Sequence, residues 1–65
     1  MSAIHFEVGE RVRLRTDGVA VRPGTLGTIQ FAYRLVNDAY EVYFDGHILP
    51  KLMRARDLER VDAVP

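Results

Sequence analysis

The chain has no cysteine and no tryptophan, and it holds one lysine and two histidines among 65 residues. Without cysteine there is no disulfide to staple the domain, and no thiolate to bind metal or attack a substrate. His5 and His47 lie far apart in the chain, and no further ligands are placed to complete a metal site around either. No hydrophobic run approaches the ~18 residues that span a bilayer, and no apolar segment marks a secretory signal. The expectation is a soluble, cytoplasmic domain without a membrane partner. Charge of one sign is also missing, because nine basic residues cancel nine acidic ones. A neutral chain is a poor general coat for nucleic acid, since counterion release needs a basic footprint.

What is present is globular in composition, with 48% hydrophobic and 28% charged residues. So short a chain forms one domain with a thin core, which favours association with a partner or a second copy. The pattern places that domain over residues 6–61, with loose ends at 1–5 and 62–65. The zero net charge conceals blocks of alternating sign. Residues 11–34 carry five arginines against Asp17, and residues 35–50 carry only acids. Lys51, Arg54 and Arg56 then follow within six positions.

Alternation of apolar and polar residues marks the strands. In Arg11-Val12-Arg13-Leu14-Arg15, Val12 and Leu14 face one side and three arginines the other. Arg22-Pro23-Gly24 suits a type II turn in the loop that follows, with Val19 and Val21 anchoring that loop. A second strand spans Leu26 to Tyr33, with Ile29 and Phe31 inward and Gly27 at a bend or a close backbone approach. The third spans Ala39 to Phe44, with Tyr40, Val42 and Phe44 on one face and Glu41 and Tyr43 on the other. Asp45-Gly46 predicts a type I′ hairpin turn. The return strand runs from Ile48 to Met53, and Pro50 assigns it to an edge. A 3₁₀ turn over Arg54 to Leu58 precedes a last strand at Glu59-Arg60-Val61. This describes an all-β, five-stranded, strongly bent barrel. The expected core is Val12, Leu14, Ile29, Phe31, Val42, Phe44, Leu58 and Val61, closed by Phe6, Val8 and Leu26.

Four stretches carry a resemblance. Phe6-x-Val8-Gly9-Glu10-Arg11-Val12-Arg13-Leu14 resembles the first strand of SH3-like small barrels. Gly24-Thr25-Leu26-Gly27-Thr28-Ile29 is similar to their second strand and Tyr40-Glu41-Val42-Tyr43-Phe44-Asp45 to their third. Arg56-Asp57-Leu58-Glu59-Arg60-Val61 is similar to their 3₁₀ turn and closing strand. Within that superfamily the first stretch resembles the barrel of the nitrile hydratase β subunit, which would imply an assembly role. The photosystem I subunit that helps dock ferredoxin is similar in layout, although its characteristic middle is not matched. The Gly24-to-Ile29 turn is similar to KOW-type barrels, which would imply contact with RNA or protein. Glu10-Arg11-Val12-Arg13 and Leu58-Glu59-Arg60-Val61 are similar to type II dihydrofolate reductases. In that family a Val-Gln-Ile-Tyr stretch lines the cofactor pore of a tetramer. Here Pro50-Lys51-Leu52-Met53 stands in its place, so the reductase activity and its cofactor are not carried over.

The chain has no phosphate-binding loop, no nucleophile elbow and no clustered acid pair, and neither histidine has a neighbour that would orient it. No catalytic residue, cofactor site or metal site is expected. Binding is the stronger expectation. The stretch Ile48-Leu49-Pro50-Lys51-Leu52-Met53 is the most apolar outside the expected core, and alternation buries only half of it. Tyr43, Ile48, Leu49, Leu52 and Met53 are therefore candidates for a protein interface, with a protein partner or homo-oligomer as the occupant. Arg11, Arg13 and Arg15, with Arg54 and Arg56, form a second candidate that would grip an anion or nucleic acid. These arginines could instead pair with Glu41, Glu59 or Asp57 on neighbouring strands. A divergent pore protein related to the type II reductases is the third alternative.

Overall fold

β1 (Arg11–Leu14) and β2 (Leu26–Tyr33) are followed by β3 (Ala39–Phe44) and β4 (Lys51–Arg54). A 3₁₀ turn (Ala55–Asp57) and β5 (Leu58–Arg60) complete the element order. The computed structural model describes residues 5–17, 20–33 and 38–61. Val19 and most of the two expected loose ends lie outside the described residues.

All strand pairs are antiparallel, and the sheet order is β4-β3-β2-β1-β5. The two edge strands, β4 and β5, are joined by only the three residues of the 3₁₀ turn. At ~3.3–3.6 Å per residue that link is too short to cross a flat five-stranded sheet. The sheet must curl until its edges come together. The five strands and the 3₁₀ turn before the last one are those the sequence predicts.

The inward side chains fill the barrel. Phe6, Val12, Leu14, Ile29, Val42, Phe44 and Leu58 are completely enclosed, joined by Val21, Tyr40 and Met53. The Tyr40 hydroxyl remains polar inside this cluster and accepts the Phe6 N–H at 3.2 Å. Gly27 marks a close approach between strands. A Cβ there would lie 2.8 Å from Val42 Cγ1 and 2.9 Å from the Tyr43 carbonyl oxygen.

Four core assignments need correction. Phe31 is half exposed, because the β2–β3 register slips between Ile29 and Phe31. A one-residue slip turns every later side chain to the opposite face. Ala32 then faces inward opposite Tyr40, and Phe31 faces outward opposite Glu41. Val8 is also exposed, since it occupies the turn in which Glu10 N–H meets the Glu7 carbonyl at 3.0 Å. Leu26 and Val61 are only half-buried, because they sit at strand ends.

The turns differ from expectation in one place. At Arg22-Pro23-Gly24-Thr25 the Thr25 N–H meets the Arg22 carbonyl and Gly24 takes φ 93°, as a type II turn requires. At Asp45-Gly46 only Gly46 has positive φ, so the turn is not type I′. The chain then continues through residues 47–50 before β4 begins.

β4 is a blunted edge. Ala55 N–H points to the Asp38 carbonyl of the β3 side, so alternation turns Met53 and Lys51 the same way. Leu52 and Arg54 direct their backbone groups outward, where the Arg54 N–H meets Asp57 Oδ2 at 3.1 Å. Pro50, of the same parity, has no N–H. Among the described residues that leaves the Leu52 amide facing outward on this edge.

Candidate functional site

The register builds an outward surface from the sequence upward. On β2, β3 and β4, Phe31 stands beside Glu41 and Glu41 beside Leu52, in one row across three strands. The neighbouring row is Tyr33, Ala39 and Arg54. The rings of Phe31 and Tyr33 meet edge to face with centroids 4.9 Å apart. Tyr43 lies two residues beyond Glu41 on the same face. Its hydroxyl donates to the Ile48 carbonyl at 2.6 Å, tying the loop after β3 to the sheet.

That loop carries the most exposed apolar side chains, Ile48 at 85% and Leu49 at 70%, and Leu52 follows at 67%. Tyr43 is also exposed. Tyr43 and Leu52 thus stand on the outward face, and Ile48 and Leu49 are exposed in the loop that Tyr43 ties to it. Met53 is 3% exposed, faces Tyr40 across the ladder and belongs to the core. Its assignment to the interface is corrected on that ground, since the strand period turns Met53 away from Leu52.

Phe31 and Tyr33 were not among the interface candidates. Period-two alternation alone sends Phe31 inward, and no residue type announces the bulge. The available signal was volume: small Ala32 is the residue that fits opposite bulky Tyr40.

The arginines are largely committed to carboxylates. Arg11 holds Asp45 through both ends of its fork, at 3.0 and 2.6 Å, and also donates to Thr28 Oγ1 at 2.9 Å. These charge-assisted bonds hold the Asp45 carboxyl below its ordinary range and raise Arg11. Arg13 pairs with Glu59 at 2.9 Å, and Arg54 stands 3.6 Å from Asp38. Arg60 binds Glu10 at 2.5 Å, donates to the His5 carbonyl and lies over the Phe6 ring. The Arg60 hydrogen bond, aided by the Glu7 N–H, lowers the Glu10 carboxyl.

Arg15 and Arg56 are exposed, and neither holds a carboxylate among the described residues. Their backbones are adjacent, because the Arg15 N–H meets the Asp57 carbonyl at 2.8 Å. The five arginines of the anion candidate are therefore not gathered into one free patch.

Among the described residues no three of His, Asp and Glu converge on a metal position around His5, His47 or elsewhere. No helix of the described residues is long and apolar enough to cross a membrane. Comparison with protein-family models, with curated proteins and with solved structures finds no match to the chain. The fold class stands on strand order, register and the short link between the two edges.

Proposed function

We propose that this chain is a non-catalytic docking module that uses the outer face of β2, β3 and β4, with the Ile48–Leu49 loop, to bind protein. The observation that carries this reading is the apolar surface itself. Phe31, Tyr33, Tyr43, Ile48, Leu49 and Leu52 together expose roughly 600–700 Å², taking about 200 Å² for a large side chain. The largest apolar patch on a typical monomer is about 300–600 Å².

The arginine-bearing strand supports the reading from the other side. Arg11 and Arg13 each hold a carboxylate, so contact with nucleic acid through β1 would first have to break those pairs. The blunted edge of β4 favours side-chain contact over strand addition.

A photo-crosslinking amino acid at position 49, introduced into the full chain in its native cells, tests the proposal. A discrete adduct should form and be lost on Phe31→Ser or Leu52→Ser, while Arg15→Ala leaves it intact. No adduct at all, or one indifferent to Phe31 and Leu52, would overturn the reading.

A further inference from the structure

We infer that the occupant of this face is a second copy of the same chain, docked face to face about a twofold axis. This rests on the docking reading above and names its partner.

The argument begins with Glu41. Glu41 is a half-buried residue, has Phe31 opposite on β2 and Leu52 opposite on β4, and its carboxylate makes no ion pair or hydrogen bond among the described residues. Covering that carboxylate with an apolar partner would strip its water and return nothing, so a partner must bring a cation to this point. The chain carries such a cation at the matching place. On β3 and β4, Glu41 stands opposite Leu52 and Ala39 stands opposite Arg54. Glu41 and Arg54 therefore occupy one diagonal of a four-residue square, and Leu52 and Ala39 occupy the other. Diagonal neighbours lie ~7–8 Å apart.

Within one copy the two charges do not meet: Arg54 stands 3.6 Å from Asp38, a looser contact than the hydrogen-bonded pairs of Arg11 and Arg13, and its side chain stays half exposed. A second copy rotated about an axis along the Leu52–Ala39 diagonal exchanges the two charged corners. Glu41 then meets Arg54 of the second copy, and Arg54 meets Glu41 of the second copy. Exposed Leu52 falls on the axis against its own counterpart, and Ala39, already buried within each copy, only marks the other end of the axis. One symmetry operation thus supplies two ion pairs around a Leu52–Leu52 contact, which is the self-complementarity an isologous contact needs.

The available area agrees. Roughly 600–700 Å² of exposed large apolar residues on each copy approaches the ~800 Å² per partner of a standard interface. A different protein bearing its own lysine or arginine would satisfy Glu41 alone. It would have no reason to place a carboxylate over Arg54, and that separates the two occupants.

The test is sedimentation equilibrium of the full chain from about 10 µM to about 1 mM, with charge-swapped variants. The parent chain should dimerise. Glu41→Arg and Arg54→Glu should each weaken the dimer at least about tenfold, and the double swap should restore it to within about threefold of the parent. Glu41→Gln and Arg54→Gln, which add no new repulsion near Asp38, should weaken it less. Circular dichroism melts confirm that each variant is folded. A parent chain that stays monomeric throughout, or a double swap no tighter than the single ones, would overturn the inference. A monomer that still forms a crosslink from position 49 to another protein would overturn it while leaving the docking reading intact. The absence of any crosslink would remove both.

Discussion

Phe31 stands opposite Glu41 on the outer face of the sheet, while Ile29, two residues earlier, stands opposite Val42 in the core. The slip between them divides β2 into a half that builds the core and a half that builds a surface. Substitutions on the two sides of it should therefore separate stability from association. Ile29→Ala and Met53→Ser should each cost about 2–5 kcal/mol, close to the whole stability of so small a domain. Phe31→Ser and Leu52→Ser should change the denaturation midpoint of dilute protein little. Urea titration followed by circular dichroism distinguishes the pairs, and an unchanged midpoint for Met53→Ser would show that Met53 is not a core residue.

Gly27 should tolerate no side chain. An added Cβ meets Val42 Cγ1 at 2.8 Å, the Tyr43 carbonyl oxygen at 2.9 Å and Phe44 Cδ1 at 3.0 Å, and the backbone oxygen cannot swing aside. Gly27→Ala should destabilise the barrel by about 1–3 kcal/mol, as overpacking does. An unchanged urea midpoint would mean that β2 and β3 are further apart than described.

Much of this could be read from the residues. β2 and β3 fall where their alternation and turns place them, and the Gly27 constraint follows from a glycine inside an otherwise continuous strand. The outer site was legible in its β4 half, because Ile48 to Met53 is more apolar than one face can bury. Its β2 half was not. A bulge is a property of two strands in register, and the residues Ile29-Gln30-Phe31 alternate as well in a regular strand as in a slipped one. The start of β4 was misplaced for a related reason. Tyr43 holds the Ile48 carbonyl, which draws residues 48–50 into the loop rather than the ladder. Arginine partners were legible in kind but only partly in identity: Arg13 takes Glu59 across β1 and β5, whereas Arg11 reaches Asp45 in a distant turn.

The Tyr43 hydroxyl bond should govern the order of that loop. Tyr43→Phe removes one hydrogen bond at 2.6 Å and leaves the ring in place. Global stability should fall by only about 0.5–1.5 kcal/mol. Hydrogen–deuterium exchange should rise at residues 47–49 and stay unchanged in β1 and β2. Unchanged exchange in the loop would show that its position is held by something else.

Acid should act on two carboxylates in particular. Arg60 lowers the Glu10 carboxyl and Arg11 lowers Asp45 through hydrogen bonds. A carboxyl that is more acidic when folded contributes stability above its unfolded pKa, and the contribution is lost as pH falls through the folded value. The melting temperature of the parent chain should therefore exceed that of Glu10→Gln/Asp45→Asn at neutral pH. The gap should close as the pH drops below about 4. Thermal melts across this range check it, and a gap that widened toward acid would reverse the sign argued here.

The spent edge of β4 bears on how far any assembly can go. Pro50 offers no donor and Arg54 gives its N–H to Asp57, which leaves the outward-facing Leu52 amide among the described residues. A chain that shows this much greasy surface would ordinarily risk endless strand-by-strand growth into filaments. Along β4, beside that surface, the ladder has little left to template a next strand, so the stickiness there lies in side chains rather than in backbone.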